Sequence, residues 1–133
     1  MLKNIIILLI FITVSGCSSS IYIYLFNNTN FPIRAFGLEE DVLVAAGESK
    51  YIVAVNDFKL CVNSLSYEYS SQRNLPPGKY YGTEHLPKYS VHFQVEESGS
   101  LYLVMSNAEL PIESVSQPKS FPVLPKEAGR CEI

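Results

Sequence analysis

Apolar and polar residues alternate along most of this chain with a period of two, the pattern of strands that bury one face. In 21–26, Ile21, Ile23 and Leu25 fall on one side and Tyr22, Tyr24 and Phe26 on the other, so both faces are apolar or aromatic. The run Asn27-Asn28-Thr29-Asn30 is turn chemistry. Residues 31–37 resume as a strand, with Pro32 marking its start or a sheet edge. Segments 42–45 and 50–55 flank a hairpin turn at Gly47. In 58–63, Phe58, Leu60 and Val62 face one way and Lys59, Cys61 and Asn63 the other; 65–69 repeats the alternation. Residues 70–82 are punctuation, and Pro76-Pro77-Gly78 is the strongest breaker in the chain. Tyr89, Val91, Phe93 and Val95 then alternate with Ser90, His92 and Gln94, and 96–99 turns the chain into a last strand over 100–105.

No segment of ten or more residues beyond position 16 shows a 3.6-residue period. Short strands with a turn every few residues predict an all-β fold: a single antiparallel β-sandwich or small barrel of about 7–8 strands. The β-domain is expected over 21–109. From 110 the character changes, since 110–133 holds four of the eight prolines. Such sequence favours extended, hydrogen-bond-free backbone. A tail packed across the domain is expected, with Phe121, Val123 and Leu124 turned down onto it.

The N-terminus follows a different rule. Lys3 precedes an apolar run over 5–14, broken only by Thr13, and Ser15-Gly16 are small. That is the layout of a secretory signal, and it falls short of the roughly 20 apolar residues a spanning helix needs. Val14-Ser15-Gly16-Cys17 resembles the lipobox of bacterial lipoprotein precursors, with Val at its first position in place of the commoner Leu. The resemblance covers about the first 20 residues. It implies that 1–16 is removed, that Cys17 is acylated as the first mature residue, and that 17–20 form a short tether. Ser18 next to it implies, by the same resemblance, sorting to the outer membrane facing the periplasm.

Composition sharpens this picture. Losing Lys3 with the leader takes the formal charge from −3 to −4, and no Lys/Arg cluster exists, which argues against a nucleic-acid partner. Acidity does not help binding to anionic lipid, so membrane attachment falls to the acyl chains on Cys17. Residues 18–20 span at most ~10 Å, which holds the domain close to the bilayer. With Cys17 acylated, Cys61 and Cys131 remain as an even pair in an oxidising compartment. The alternatives are two buried free thiols or a metal pair, and the absence of a CxxC or a nearby His argues against metal. The expectation is a disulfide that closes a loop of 70 residues and clips the C-terminus down.

Candidate chemistry is sparse. The two histidines, His85 and His92, have no G-x-S-x-G serine to serve, and His92 reads as an exposed strand residue. Glu39-Glu40-Asp41 lacks calcium-loop spacing and reads as a solvated turn. No cofactor or metal is expected. The positive signal is aromatic: nine tyrosines, paired as Tyr22/Tyr24, Tyr67/Tyr69 and Tyr80/Tyr81. Tyrosine serves at interfaces, and it also suits half-buried sheet faces. The loop over 76–85 combines a rigid turn, adjacent aromatics and charge, so Pro77, Gly78, Tyr80, Tyr81 and His85 form the candidate partner-binding site. The segments "AAGESKYIV" and "LPPGKYY" resemble paired turns of small β-sandwich lipoproteins of unknown function, which bears on fold alone. The functional expectation is a lipid-anchored envelope lipoprotein that binds a protein partner without catalysis, as an immunity or inhibitor protein or an accessory subunit. The alternative is a structural outer-membrane lipoprotein that contacts an outer-membrane protein or cell-wall polymer; a hydrolase is the third reading.

Overall fold

The alternation sorts the strands of the described residues into two facing sheets. The structure is a computed structural model that describes residues 21–37, 40–54, 57–70, 90–105, 108–113 and 117–133. The strands are β1 (Ile21–Asn27), β2 (Ile33–Phe36), β3 (Asp41–Val44), β4 (Ser49–Ala54), β5 (Asp57–Val62), β6 (Leu65–Ser70), β7 (Ser90–Val95), β8 (Leu101–Leu103) and β9 (Lys126–Arg130). One sheet runs β4-β1-β7-β8 and the other β3-β2-β5-β6-β9. The fold is therefore an all-β sandwich, with nine strands among the described residues where about 7–8 were expected. The additional strand is β9, which falls inside the proline-rich tail.

Pairing departs from all-antiparallel at one place. β1 pairs antiparallel with β4 but parallel with β7. Parallel neighbours need a long crossover, and here the chain leaves β1, builds most of the second sheet and returns to β7. Alternation shows which face a residue takes and carries no information about strand direction, so this pairing was not visible in the pattern.

The core lies between the sheets. Ile23, Leu25, Ile52, Val91, Phe93, Val95 and Leu101 from one sheet meet Ile33, Ala35, Val44, Phe58, Leu60 and Val62 from the other. Tyr67 and Tyr69 belong to this core too, 7% and 2% exposed. Tyr69 stacks on Phe58 with ring centroids 4.8 Å apart, and its hydroxyl donates to Gly99 O at 2.6 Å. Gly99 has φ +77°, and a Cβ there would fall 2.7 Å from the Tyr67 ring, so both tyrosines depend on this glycine. Asn27 joins the layers: its Nδ2 donates to Phe31 O and Val44 O, while its Oδ1 accepts from the Thr29 N–H and Oγ1. The NNTN turn is thus a buried polar knot tied to β3.

The tail is far from hydrogen-bond-free. Gln94 brackets the Ile112 peptide, accepting its N–H at 2.7 Å and donating to its carbonyl at 3.0 Å. Gln117 brackets Leu103 in the same way. Leu101 and Val123 exchange two backbone bonds, and β9 pairs antiparallel with β6. Prolines at 111, 118, 122 and 125 interrupt the ladder, so amide side chains replace part of it. Val123 is buried and Phe121 packs against the core, as expected, but Leu124 is 70% exposed because alternation turns it outward. Cys61 and Cys131 form a disulfide with Cα atoms 5.9 Å apart, as expected from the sequence.

Two outcomes test this packing. Cys131→Ser frees a loop of 70 residues and should cost up to about 4 kcal/mol, read from urea unfolding as a lower midpoint with a steeper slope, because the unfolded chain without its cross-link exposes more surface. Tyr69→Phe leaves Gly99 O buried without its partner and should cost about 1–3 kcal/mol by the same measurement.

Candidate functional site

With Ile23 and Leu25 turned inward, the alternation of β1 forces Tyr22, Tyr24 and Phe26 onto the outer face of the sheet. Register brings partners to them. Tyr24 lies opposite Tyr51 of β4 on one side and His92 of β7 on the other, so a single row across three strands reads Tyr51–Tyr24–His92. Ring centroids are 5.7 Å apart for Tyr24–Tyr51 and 4.6 Å for Tyr24–His92, while Tyr22 sits 6.3 Å from Tyr51. Tyr51 is the exposed member at 55%.

Ring orientation restricts what this cluster can bind. Tyr24 and His92 are stacked at 25°, and Tyr51 leans on Tyr22 and Tyr24 at 40°. Tyr24 and His92 spend flat faces on one another, while Tyr51 keeps more than half of its surface open. A packed cluster of tyrosines supplies apolar bulk with polar hydroxyls, the composition of a protein interface. Burial and the neighbouring Tyr51 and Tyr22 push the Tyr24 hydroxyl above its ordinary pKa, so it stays a neutral donor.

His92 does not behave as the exposed strand residue its sequence suggested. It is half-buried against Tyr24, and its Nε2 is buried with no hydrogen-bond partner among the described residues. Burial lowers its pKa from the ordinary histidine value. Beside the cluster, Tyr24 and Tyr51 also line a groove of about 600 Å³ between β4 and β3, with Glu40, Asp41, Leu43 and Lys50 around it. Asp41 opens β3 and so extends a strand, where the acidic run was expected to be only a turn. Among the described residues, no group of three His, Cys, Asp or Glu side chains is placed to hold a metal ion.

The three tyrosine pairs separate cleanly. Tyr22/Tyr24 form the outer cluster and Tyr67/Tyr69 are core. Tyr80/Tyr81 lie outside the described residues, as do Pro77, Gly78, His85 and Cys17. Sequence reasoning missed Tyr51 and the pairing of His92 with Tyr24. Both stand at outward positions of their strands, and that signal was readable; the register that sets them side by side was not. In comparisons with known proteins, no family model, curated protein or solved structure matches the chain.

The histidine supplies a pH test. Its folded pKa lies below the unfolded value, so the unfolded chain binds the proton more readily. Stability is held above the ordinary value of about 6.5 and falls as pH drops through and below it. His92→Phe keeps a ring against Tyr24 and should flatten the loss of stability between about pH 7.5 and pH 5 relative to the parent, read from urea midpoints at each pH.

Proposed function

We propose that this chain is a lipid-anchored protein of the bacterial cell envelope, held by acyl groups on Cys17 at the outer membrane facing the periplasm. It acts as a non-catalytic binding module, an immunity or inhibitor protein or an accessory subunit of an envelope assembly. The observation that carries the reading is the outer aromatic cluster Tyr22–Tyr24–Tyr51–His92, packed ring against ring with Tyr51 exposed. Tyrosine at such a surface contributes a large desolvated area at little conformational cost, which is how interface anchors work.

Three further features support it. The apolar run over 5–14 and Val14-Ser15-Gly16-Cys17 carry the lipoprotein reading. Cys17 is also only five positions from Tyr22, so the chain between them reaches at most about 18 Å. The cluster is thereby kept close to the membrane, where a partner in the envelope meets it. The mature domain is acidic and clamped by a disulfide, which suits an oxidising compartment.

Anchor and surface are tested separately. Cys17→Ser should abolish labelling by radioactive palmitate and leave an unprocessed precursor; labelled, processed protein in that variant removes the anchor. The lipidated protein should co-purify a defined partner from its own cell envelope, and Tyr24→Ala combined with Tyr51→Ala should weaken that capture roughly tenfold or more. Undiminished capture by the double variant places the partner elsewhere on the molecule.

A further inference from the structure

The two long sides of the sandwich are finished differently. Along β8 and β9 the tail closes it, through the Leu101–Val123 bridge, the Gln117 bracket and the pairing of β9 with β6. On the opposite side β4 ends one sheet and β3 the other. Among the described residues nothing pairs with either outer edge, and the groove of about 600 Å³ lies between them.

Bonding parity shows which groups of β4 are open. The Asn27 N–H donates to Glu48 O, and Asn27 O accepts from the Gly47 N–H, so Asn27 turns its backbone toward the β4 side. By alternation so do Leu25 and Ile23, whose partners are Lys50 and Ile52. Ser49, Tyr51 and Val53 therefore turn their N–H and C=O groups away from β1. The Val53 carbonyl is approached by Gly37, where an added Cβ would lie 3.2 Å from it. Ser49 and Tyr51 are exposed, and among the described residues no strand pairs with their outward backbone groups.

We propose that this open side is an interface with a second copy of the chain, in which the two β4 strands pair antiparallel about a two-fold axis through Tyr51. Charge selects the register. Residues directly opposite must share a face, so the axis falls on Lys50, Tyr51 or Ile52. An axis at Lys50 opposes two ammonium groups, and one at Ile52 pairs Tyr51 with Val53, whose carbonyl Gly37 crowds, whereas an axis at Tyr51 keeps its central pair clear of that carbonyl. The axis at Tyr51 sets Lys50 across from Ile52 of the second copy. On the neighbouring sheet the β3–β4 hairpin places Leu43 beside Lys50, whose Nζ donates to Leu43 O at 2.8 Å. Asp41 stands two residues before Leu43 on β3 and lines the same groove as Glu40, Lys50 and Ile52. Each Lys50 then faces Asp41 and Glu40 of the other copy, and symmetry makes the match twice.

This interface goes beyond the anchored binding reading and does not depend on Cys17. It joins two four-stranded sheets into one of eight strands, with both aromatic clusters on the same face and the two Tyr51 rings adjacent. The partner-docking surface is thereby doubled.

The test uses the processed, disulfide-bonded full chain in detergent, followed by sedimentation over a dilution series. A dimer is expected, weakened roughly tenfold by Lys50→Glu or by Asp41→Lys, and restored to within a few-fold when the two are combined. Tyr51→Cys should cross-link between copies with a short bismaleimide, whereas Leu124→Cys, on the closed side, should not. A monomer at every concentration overturns the proposal, and so does cross-linking through Leu124→Cys alone. So does a dimer in which the charge swap fails to restore what the single reversals remove.

Discussion

The closure of one side of the sandwich by the C-terminal tail is the constraint on which the rest depends. β8 has only three residues, too few to finish a sheet by itself. Its backbone is satisfied because Val123 exchanges two bonds with Leu101 and Gln117 takes both groups of Leu103. The same tail continues into β9 on the other sheet, and the Cys61–Cys131 disulfide fastens its end two residues from the terminus. One segment therefore spans both layers. Without it, Leu101 and Leu103 would expose unpaired backbone groups at the rim, and Val123 and Phe121 would leave the core they complete.

Once that side is closed, the outer face of β4-β1-β7 can afford to be aromatic. Tyr22, Tyr24, Tyr51 and His92 contribute nothing to the space between the sheets, yet they pack against one another within 4.6–6.3 Å. A buried histidine nitrogen with no partner among the described residues costs stability. Stability alone would favour an apolar ring beside Tyr24. The contrast with Tyr67 and Tyr69 is instructive, because those rings face inward and Tyr69 has its hydroxyl bonded to Gly99. Identical chemistry serves as core in one strand and as surface in another, and strand parity decides which.

Much of the fold was legible because alternation is a local property. Ile23 and Leu25, Phe58 and Leu60, and Val91 and Phe93 all face the core as their spacing indicates, and the turns at Gly47 and 96–99 fall where turn residues place them. The illegible features are non-local. The parallel β1–β7 pairing depends on how the intervening chain winds through the second sheet. The row Tyr51–Tyr24–His92 exists only through register across three strands, so no spacing within one strand could announce it. Leu124 was assigned to the core on hydrophobicity, although alternation with the buried Val123 turns it to solvent. The tail's polar brackets escaped for the same reason: Gln94 and Gln117 read as ordinary polar residues until the chain places a peptide opposite each.

The open side is where edge physics and the candidate surface meet. An unpaired strand edge is a template for further pairing, and natural sheets blunt it with charge, bulges or covering segments. The β8/β9 side is covered. On the β3/β4 side the devices among the described residues are slight: Lys50 caps one carbonyl of β3, and Gly37 crowds one carbonyl of β4. Tyr51 stands at the centre of what is left, exposed and shared between the edge and the aromatic cluster. Any chain that pairs with this edge therefore also rebuilds the aromatic face. Recognition through backbone pairing and recognition through the tyrosines are coupled at a single residue, so an occupant of the edge sets the shape that the face presents to its partner.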